Sequence, residues 1–481
     1  MVETPPIKAQ LLKGMRATQF YTMAFGCMIG VGWVVVLGDW LRHAGPLGSM
    51  LAFAMGAIAI TFIGLCYGEI ATMFPASGGE VLYAYEIYGL EACFAVSWLL
   101  ALVWIVATAF EAISLGWVAG TLIAGIEGPT LYQALGAPVQ AGSLALGLCG
   151  MALLTILNYR GIRQAALFQD IMTCSLILLS LVFMVAGIGW GHTENMRPLF
   201  DESGSALRGF LSVLMTAPFW YGGFNVIPQM MGEKADSASL KSVGRTIVMS
   251  ILSAGLFYCL VIFSASMATP WRRLLDAELP AASAFQSAFD SPILGKLVLV
   301  AAVLGLVTTW NAVFVAGTRV IFVLGRAQLV APSLGKVHPL FGSPSNAAIF
   351  VGIVAGCAVL IGRNFIAPVI NVVATCSSLV FLAICWGVIR LRKQRPEAPR
   401  PYRAPGGAAI PAAGIVVAAA MLLLSLYEPY RNRADTVVPA EWLVLVLWII
   451  LGILFWTLTA RRRRALSDAE RRRLMCLGGS E

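Results

Sequence analysis

The chain has 481 residues, of which 59% are apolar and only 12% charged, with a formal net charge of +9. Ordinary soluble proteins carry about 25% charged residues, and one soluble core has too little interior for so much apolar side chain. A disordered chain would need low hydrophobicity, so a polytopic membrane protein remains.

A helical span takes about 20 apolar residues, so twelve spans use about 240 and leave room for loops. Apolar windows place them at 17–40, 46–70, 92–122, 141–158, 164–189, 209–231, 242–268, 291–325, 346–362, 365–390, 408–427 and 440–460. Helices are expected, because each unpaired backbone group in lipid costs several kcal/mol. The short alternating segments of a barrel are absent. Span 1 follows Lys13 and Arg16. It is too long for a signal-peptide core and lacks a small-residue cleavage site, so it is read as retained.

With both termini cytoplasmic, the inside segments hold 24 lysines and arginines, from Lys8 to the tail runs Arg461–Arg464 and Arg471–Arg473. The outside segments, from Arg42 to Arg433, hold 9, a bias that favours this orientation in a cell membrane. The net charge therefore reports topology. A nucleic-acid binder would gather its cations on one accessible face, and no nucleic-acid partner is expected. Nine of the ten cysteines lie in apolar runs, Cys476 is in the tail, and no C-x-x-C pair exists. They read as small buried hydrophobes, without disulfide or metal roles.

Span 1 contains Gly26-Cys27-Met28-Ile29-Gly30-Val31-Gly32 near mid-membrane. Each glycine lowers helix stability by about 1 kcal/mol relative to alanine. A break here frees N–H groups that attract a carboxylate and carbonyls that attract an ammonium or a cation. Close helix packing is the competing reading, since Gly26 and Gly30 also spell G-x-x-x-G. Span 6 repeats the signal with Pro218, then Phe219-Trp220-Tyr221 and Gly222-Gly223. Two disrupted spans five apart indicate a five-plus-five inverted repeat with spans 11 and 12 added. The repeats are then 17–190 and 209–390, followed by a linker at 391–407, the last helices at 408–460 and a basic tail at 461–481, with an N-terminal tail at 1–16. The rings at the second break can cover a substrate or offer a cation–π face.

Glu111 lies inside span 3. A carboxylate at the bilayer centre costs at least about 2.5–3.5 kcal/mol, so it must be protonated, paired or turned to a polar cavity. A proton carrier and a structural hydrogen bond are both open. Glu69 and Asp170 fall near span ends, where solvation or capping accounts for them. Span 8 carries Thr308-Thr309-Trp310-Asn311. Their oxygens suit sodium or a hydrogen-bond network, although threonine in such helices commonly bonds back to its own backbone. There is no phosphate loop, no H-E-x-x-H and no G-x-S-x-G, so no enzyme activity and no cofactor are expected.

These residues resemble the amino acid–polyamine–organocation superfamily of secondary transporters. The resemblance is carried by Gly26 to Gly32, by Gly68-Glu-Ile-Ala-Thr-Met-Phe-Pro-Ala-Ser-Gly-Gly-Glu80 with Tyr83 and Tyr85, by Phe219-Trp-Tyr-Gly-Gly-Phe224, and by Arg319 and Arg326. It implies an all-α leucine-transporter-like fold working by alternating access. By the same resemblance, the backbone of Cys27 to Gly32 receives a substrate carboxylate. Carbonyls near Gly26, Ile29 and Phe219 to Gly222 receive an amine, and Phe219 gates. Glu111 matches a span 3 glutamate of cationic-amino-acid-transporter-like relatives. Thr309 and Asn311 match positions near an ancestral sodium site. The lysine that some relatives place in span 5 is absent from Ile171-Met-Thr-Cys-Ser-Leu176. The expected function is amino acid transport, coupled to a proton or working by exchange, with sodium as the other candidate ion. The alternative is an amine such as a polyamine or ethanolamine.

Overall fold

The computed structural model describes residues 11–475 apart from 124, 203, 278 and 432–438; Lys8, Arg433 and Cys476 lie outside the described residues. Among the described residues, ten helices are long and apolar enough to cross a membrane, and two shorter apolar ones complete the set of twelve. Span 1 comprises Ala17–Met28, Gly32–Val35 and residues 37–44; span 2 runs on to residue 73. Gly45 separates them with φ +70°. A Cβ there would meet the Phe200 backbone at 2.7 Å, so the turn needs glycine on both counts. Spans 3, 4 and 5 are Leu90–Leu122, Ala141–Tyr159 and Ile162–Trp190. Span 6 is split into Ala206–Trp220 and Val226–Gln229. Spans 7 to 10 are Leu240–Ala268, Pro292–Arg326, Ser345–Val359 and Ile366–Gln394. Ala409–Arg431 and Ala440–Leu458 follow as spans 11 and 12.

The all-α polytopic architecture is as the hydropathy required. Span 2 packs on span 7, span 3 on span 8, and span 4 on span 9. Each of these pairs is five spans apart, the packing relation of two five-helix halves. The first half of span 1 lies among spans 5, 7 and 8. Spans 5 and 12 turn leucine, valine and isoleucine outward, among them Leu167, Leu178, Val185, Ile450 and Ile453. In a soluble protein this would be an aggregating surface, and in lipid it is the solvated one.

Three features depart from the sequence reading. The loop between spans 3 and 4 holds a hairpin, Thr130–Ala134 with Ala137–Gln140. Its turn residues Leu135 and Gly136 both have positive φ, the geometry of a tight two-residue hairpin turn. Glu69, expected to be solvated or capping, is buried and paired with Arg392 at 2.9 Å and Arg400 at 3.3 Å. Cys149, Cys174 and Cys357, expected to be buried, are exposed on the outward faces of spans 4, 5 and 9, where lipid accepts a small apolar side chain. A helix of nine residues, Glu80–Tyr88, joins spans 2 and 3. It is packed on spans 3 and 10.

Candidate functional site: a cavity between two broken helices

The span 1 break falls at Ile29–Val31, later than the expected start at Gly26. Gly26 remains helical, and its role is packing. A Cβ there would meet Gln169 Nε2 and Thr173 Oγ1 at 2.5 Å. Its carbonyl accepts from the Thr308 and Thr309 hydroxyls, both at 3.1 Å. The Met28 carbonyl accepts from Tyr258 Oη of span 7 at 2.7 Å. Gly305 lets span 8 approach the break, since a Cβ there would lie 2.7 Å from the Gly30 carbonyl oxygen. The carbonyls at the end of the first half-helix are therefore held by span 7 and span 8 hydroxyls, which stabilises a termination that glycine alone only permits. On the other side, among the described residues, no backbone carbonyl accepts the N–H groups of Gly30 to Trp33.

Span 6 stays helical through Pro218 to Trp220 and opens at Tyr221–Asn225, again later than expected. Gly223 has φ +140°, and a Cβ there would sit 3.0 Å from the Cys27 side chain. This glycine brings the two breaks into contact. Tyr221 does not face the substrate space. It is fully buried and donates to the Phe53 carbonyl of span 2 at 2.8 Å. Gly32 lies against the indole of Trp220, where a Cβ would be 2.1 Å from the ring.

Between the breaks lies a cavity of about 360 Å³. Cys27, Met28, Gly30, Val31 and Gly32 border it from span 1, and Phe219, Trp220, Gly222, Gly223 and Asn225 from span 6. Gly26, Ile29, Tyr221, Thr308 and Asn311 stand behind this lining. Span 3 supplies Val103, Trp104, Phe110 and Glu111; span 8 adds Thr309 and Val313, and span 10 adds Val369, Ile370 and Val373. The walls are thus mostly apolar. Glu111 is 4% exposed, and its Oε2 has no hydrogen-bond partner. A carboxyl held in such walls without a cation is costly unless it carries a proton or meets a ligand. Phe219 packs edge-on against Phe110 and Trp220, with centroids at 6.3 and 5.0 Å. The cavity reaches exposed Asp39 and half-buried Trp117 at one end and buried Asn225 and Phe381 at the other.

Asn311 belongs to a buried amide chain. It donates to Gln169 Oε1 at 2.8 Å and accepts from Asn158 at 3.3 Å, while Gln169 and Thr173 reach the Thr22 carbonyl. This chain ties spans 4, 5 and 8 to span 1 in the region where a span 5 lysine is missing. Asn158, Gln169 and Thr173 were not singled out in the sequence, being polar residues without a local pattern. The cavity is sealed at the end that stops on buried Asn225 and Phe381. On the chain just after Asn225, Glu233 meets Arg319 of span 8 at 3.0 and 2.8 Å with both side chains buried, a pairing equally hidden in the sequence.

Two helices broken face to face around a mostly apolar cavity, with one buried, unpartnered acid in its wall, form a permease architecture. Residues 18–461 match the family model described as "Amino acid permease". The chain belongs to this family, within the amino acid–polyamine–organocation superfamily. It is 26% identical over 472 residues to the branched-chain amino acid permease BcaP of Bacillus subtilis (strain 168), covering 95% of each chain. To the methylthioribose transporter of the same organism it is 25% identical over 463 residues, again covering 95% of each. To the human Asc-type amino acid transporter 1 it is 26% identical over 419 residues, covering 85% of this chain and 76% of that one. The protein is a multi-pass membrane permease and not an enzyme.

Proposed function

We propose that this permease carries an α-amino acid across the cytoplasmic membrane by alternating access, with both termini in the cytoplasm and a proton as the coupled ion. The observation that carries this reading is the opposition of two groups on one cavity. The free N–H groups of Gly30 to Trp33 suit a carboxylate, and the unpartnered Glu111 carboxyl suits an ammonium or a proton. The Gly26 and Met28 carbonyls are already taken by hydroxyl donors. The amine therefore falls to Glu111 and to the Trp220–Gly222 carbonyls, which accept no backbone N–H among the described residues. Val103, Val313, Val369, Ile370 and Val373 would take the side chain, which favours an apolar one. Phe219 closes over it from span 6, and spans 1, 2, 6 and 7 rock against the remainder. Thr308 and Thr309 hold the break in register by their bonds to Gly26, and Asn311 does so through Gln169.

The test is uptake by the purified chain in proteoliposomes, using a panel of amino acids and their decarboxylated amines. It is run under a pH gradient, under a sodium gradient and with neither. Uptake of a neutral amino acid driven by the pH gradient, and not competed by its amine, supports the reading. Competition by the amine alone transfers the site to the amine class, and sodium drive moves coupling to the Thr308–Thr309 oxygens. Glu111→Gln is expected to abolish pH-driven accumulation while one-for-one exchange of labelled substrate persists. Accumulation unchanged in this variant removes Glu111 from coupling.

A further inference from the structure

Outside the cavity lining, the described residues at the ends of spans 2 and 6 and on the helix Glu80–Tyr88 include four buried carboxylates, and three of them are matched by arginine. Glu69 pairs with Arg392 and Arg400, Glu233 with Arg319, and Glu86 with Arg395 and Arg472. Glu80, the first residue of the helix joining spans 2 and 3, is different. It is fully buried, and among the described residues no lysine, arginine or histidine pairs with it. Its partners are neutral donors. Tyr67 of span 2 donates at 3.0 Å, Asn225 at 3.4 Å, and Gln229 of span 6 also donates. The other titratable groups beside it are Tyr83 on its own helix and Cys385 of span 10, which adjoins Tyr67. All three side-chain donors to Glu80 lie on spans 2 and 6, and Asn225 also lines the cavity. One side chain thus separates the substrate space from this carboxyl.

We infer that Glu80 is a second proton-binding site, placed at the seam that must part when the sealed end opens, and that opening this end releases its proton. The physical basis is a difference between the two states. In the sealed state the carboxyl is desolvated, and burial pushes its pKa up to about 7 despite its own backbone N–H and the three side-chain donors. Once parted from span 6 it meets water, where a glutamate titrates near 4.3. The sealed state therefore binds the proton more tightly. Acid favours it over the whole interval between these two values, and the preference is lost as pH rises through about 7. Each opening between those pH values sheds a proton on the side to which the cavity opens. The carboxylate gains that proton in the sealed state from the cavity side, through water at Asn225. The balance is one O–H bond formed and later broken.

This inference concerns the seam. It depends on the proposed function only for its consequence, a proton delivered with the substrate, so its test does not use transport. Infrared difference spectra of the full-length purified chain should show a protonated-carboxyl band that titrates near neutral pH. Glu80→Gln, which is isosteric, should remove that band, and Glu111→Gln should leave it in place. Tyr67→Phe, which deletes a donor to the carboxylate, should raise the midpoint by about half a unit to one unit. Hydrogen–deuterium exchange over residues 78–88, corrected for the intrinsic rate, should rise by up to about tenfold per unit between about pH 5 and about pH 7. In Glu80→Gln it should be flat. A band that survives Glu80→Gln, a midpoint unmoved in Tyr67→Phe, or exchange with the same pH slope in wild type and Glu80→Gln overturns the inference. If the panel shows no proton drive and the band behaves as expected, the coupling reading fails while Glu80 stands as a pH-dependent latch.

Discussion

The two ends of the cavity are built by different physics. At the Asp39 end the walls are aliphatic and aromatic, and Trp40, Phe219 and Trp220 meet only ring to ring. At the Glu80 end the layer is polar and ionic. It contains the Arg319–Glu233 pair, the Glu69 and Glu86 clusters, and the donors around Glu80. Ring pairs prefer edge-on or offset geometry, but each is worth only about 0.5–1.5 kcal/mol beyond burial, so they can slide or reopen at small cost. A buried ion pair is held by direction, and removing one partner strands the other. The structure thus has one end suited to admitting solute while the other is latched.

Four substitutions test this contrast. The largest effect is expected at the latched end. Arg319→Ala strands Glu233 in a buried site and should cost about 3–5 kcal/mol. Thermal unfolding in detergent would register this loss, and a variant as stable as wild type would show that the pair does not hold the seam. Next comes Gly32→Ala at the open end, where the added methyl must displace the Trp220 ring from 2.1 Å. Overpacking typically costs about 1–3 kcal/mol, and uptake should fall by at least tenfold. Combining it with Trp220→Ala should restore part of the uptake. Failure of this double variant to recover would separate Gly32 from the ring. Tyr258→Phe frees the Met28 carbonyl and should cost about 1 kcal/mol, seen as a several-fold rise in KM with the protein inserted normally. The smallest effect is expected from Arg472→Ala. Glu86 keeps Arg395, and the lost guanidinium is partly exposed, so stability should change by no more than about 1 kcal/mol. A larger drop would make the basic tail part of the latch.

The two breaks show where a reading of sequence stops. Gly30, Gly32, Gly222 and Gly223 marked both interruptions, because poor helix formers are visible without a fold. Both helices end later than Gly26 and Pro218 suggest, at Ile29 and Tyr221, and in span 1 this is because Thr308, Thr309 and Tyr258 hold its last carbonyls from other spans. Tyr221 has the same aromatic character as Phe219 and Trp220, and only the backbone turn at the break sends it to Phe53 and away from substrate. Glu111 was legible because a carboxylate inside an apolar run is expensive wherever the run is placed. Glu80 was noted within a motif, but its isolation from cations was not legible. Asn225 and Gln229 are 145 and 149 residues away, and Arg392 could have paired with Glu80 instead of Glu69.

Sequence alone determined the twelve spans and the expectation of two opposed breaks, since both follow from local costs. Apolar residues must stay in lipid, and a run of glycine weakens a helix regardless of its neighbours. Tertiary structure decided which carbonyls are occupied, which acid has an arginine and which does not, and which ring faces the cavity. These outcomes depend on partners brought together from distant positions, and burial turns a modest preference into a fixed pairing because no water is there to compete.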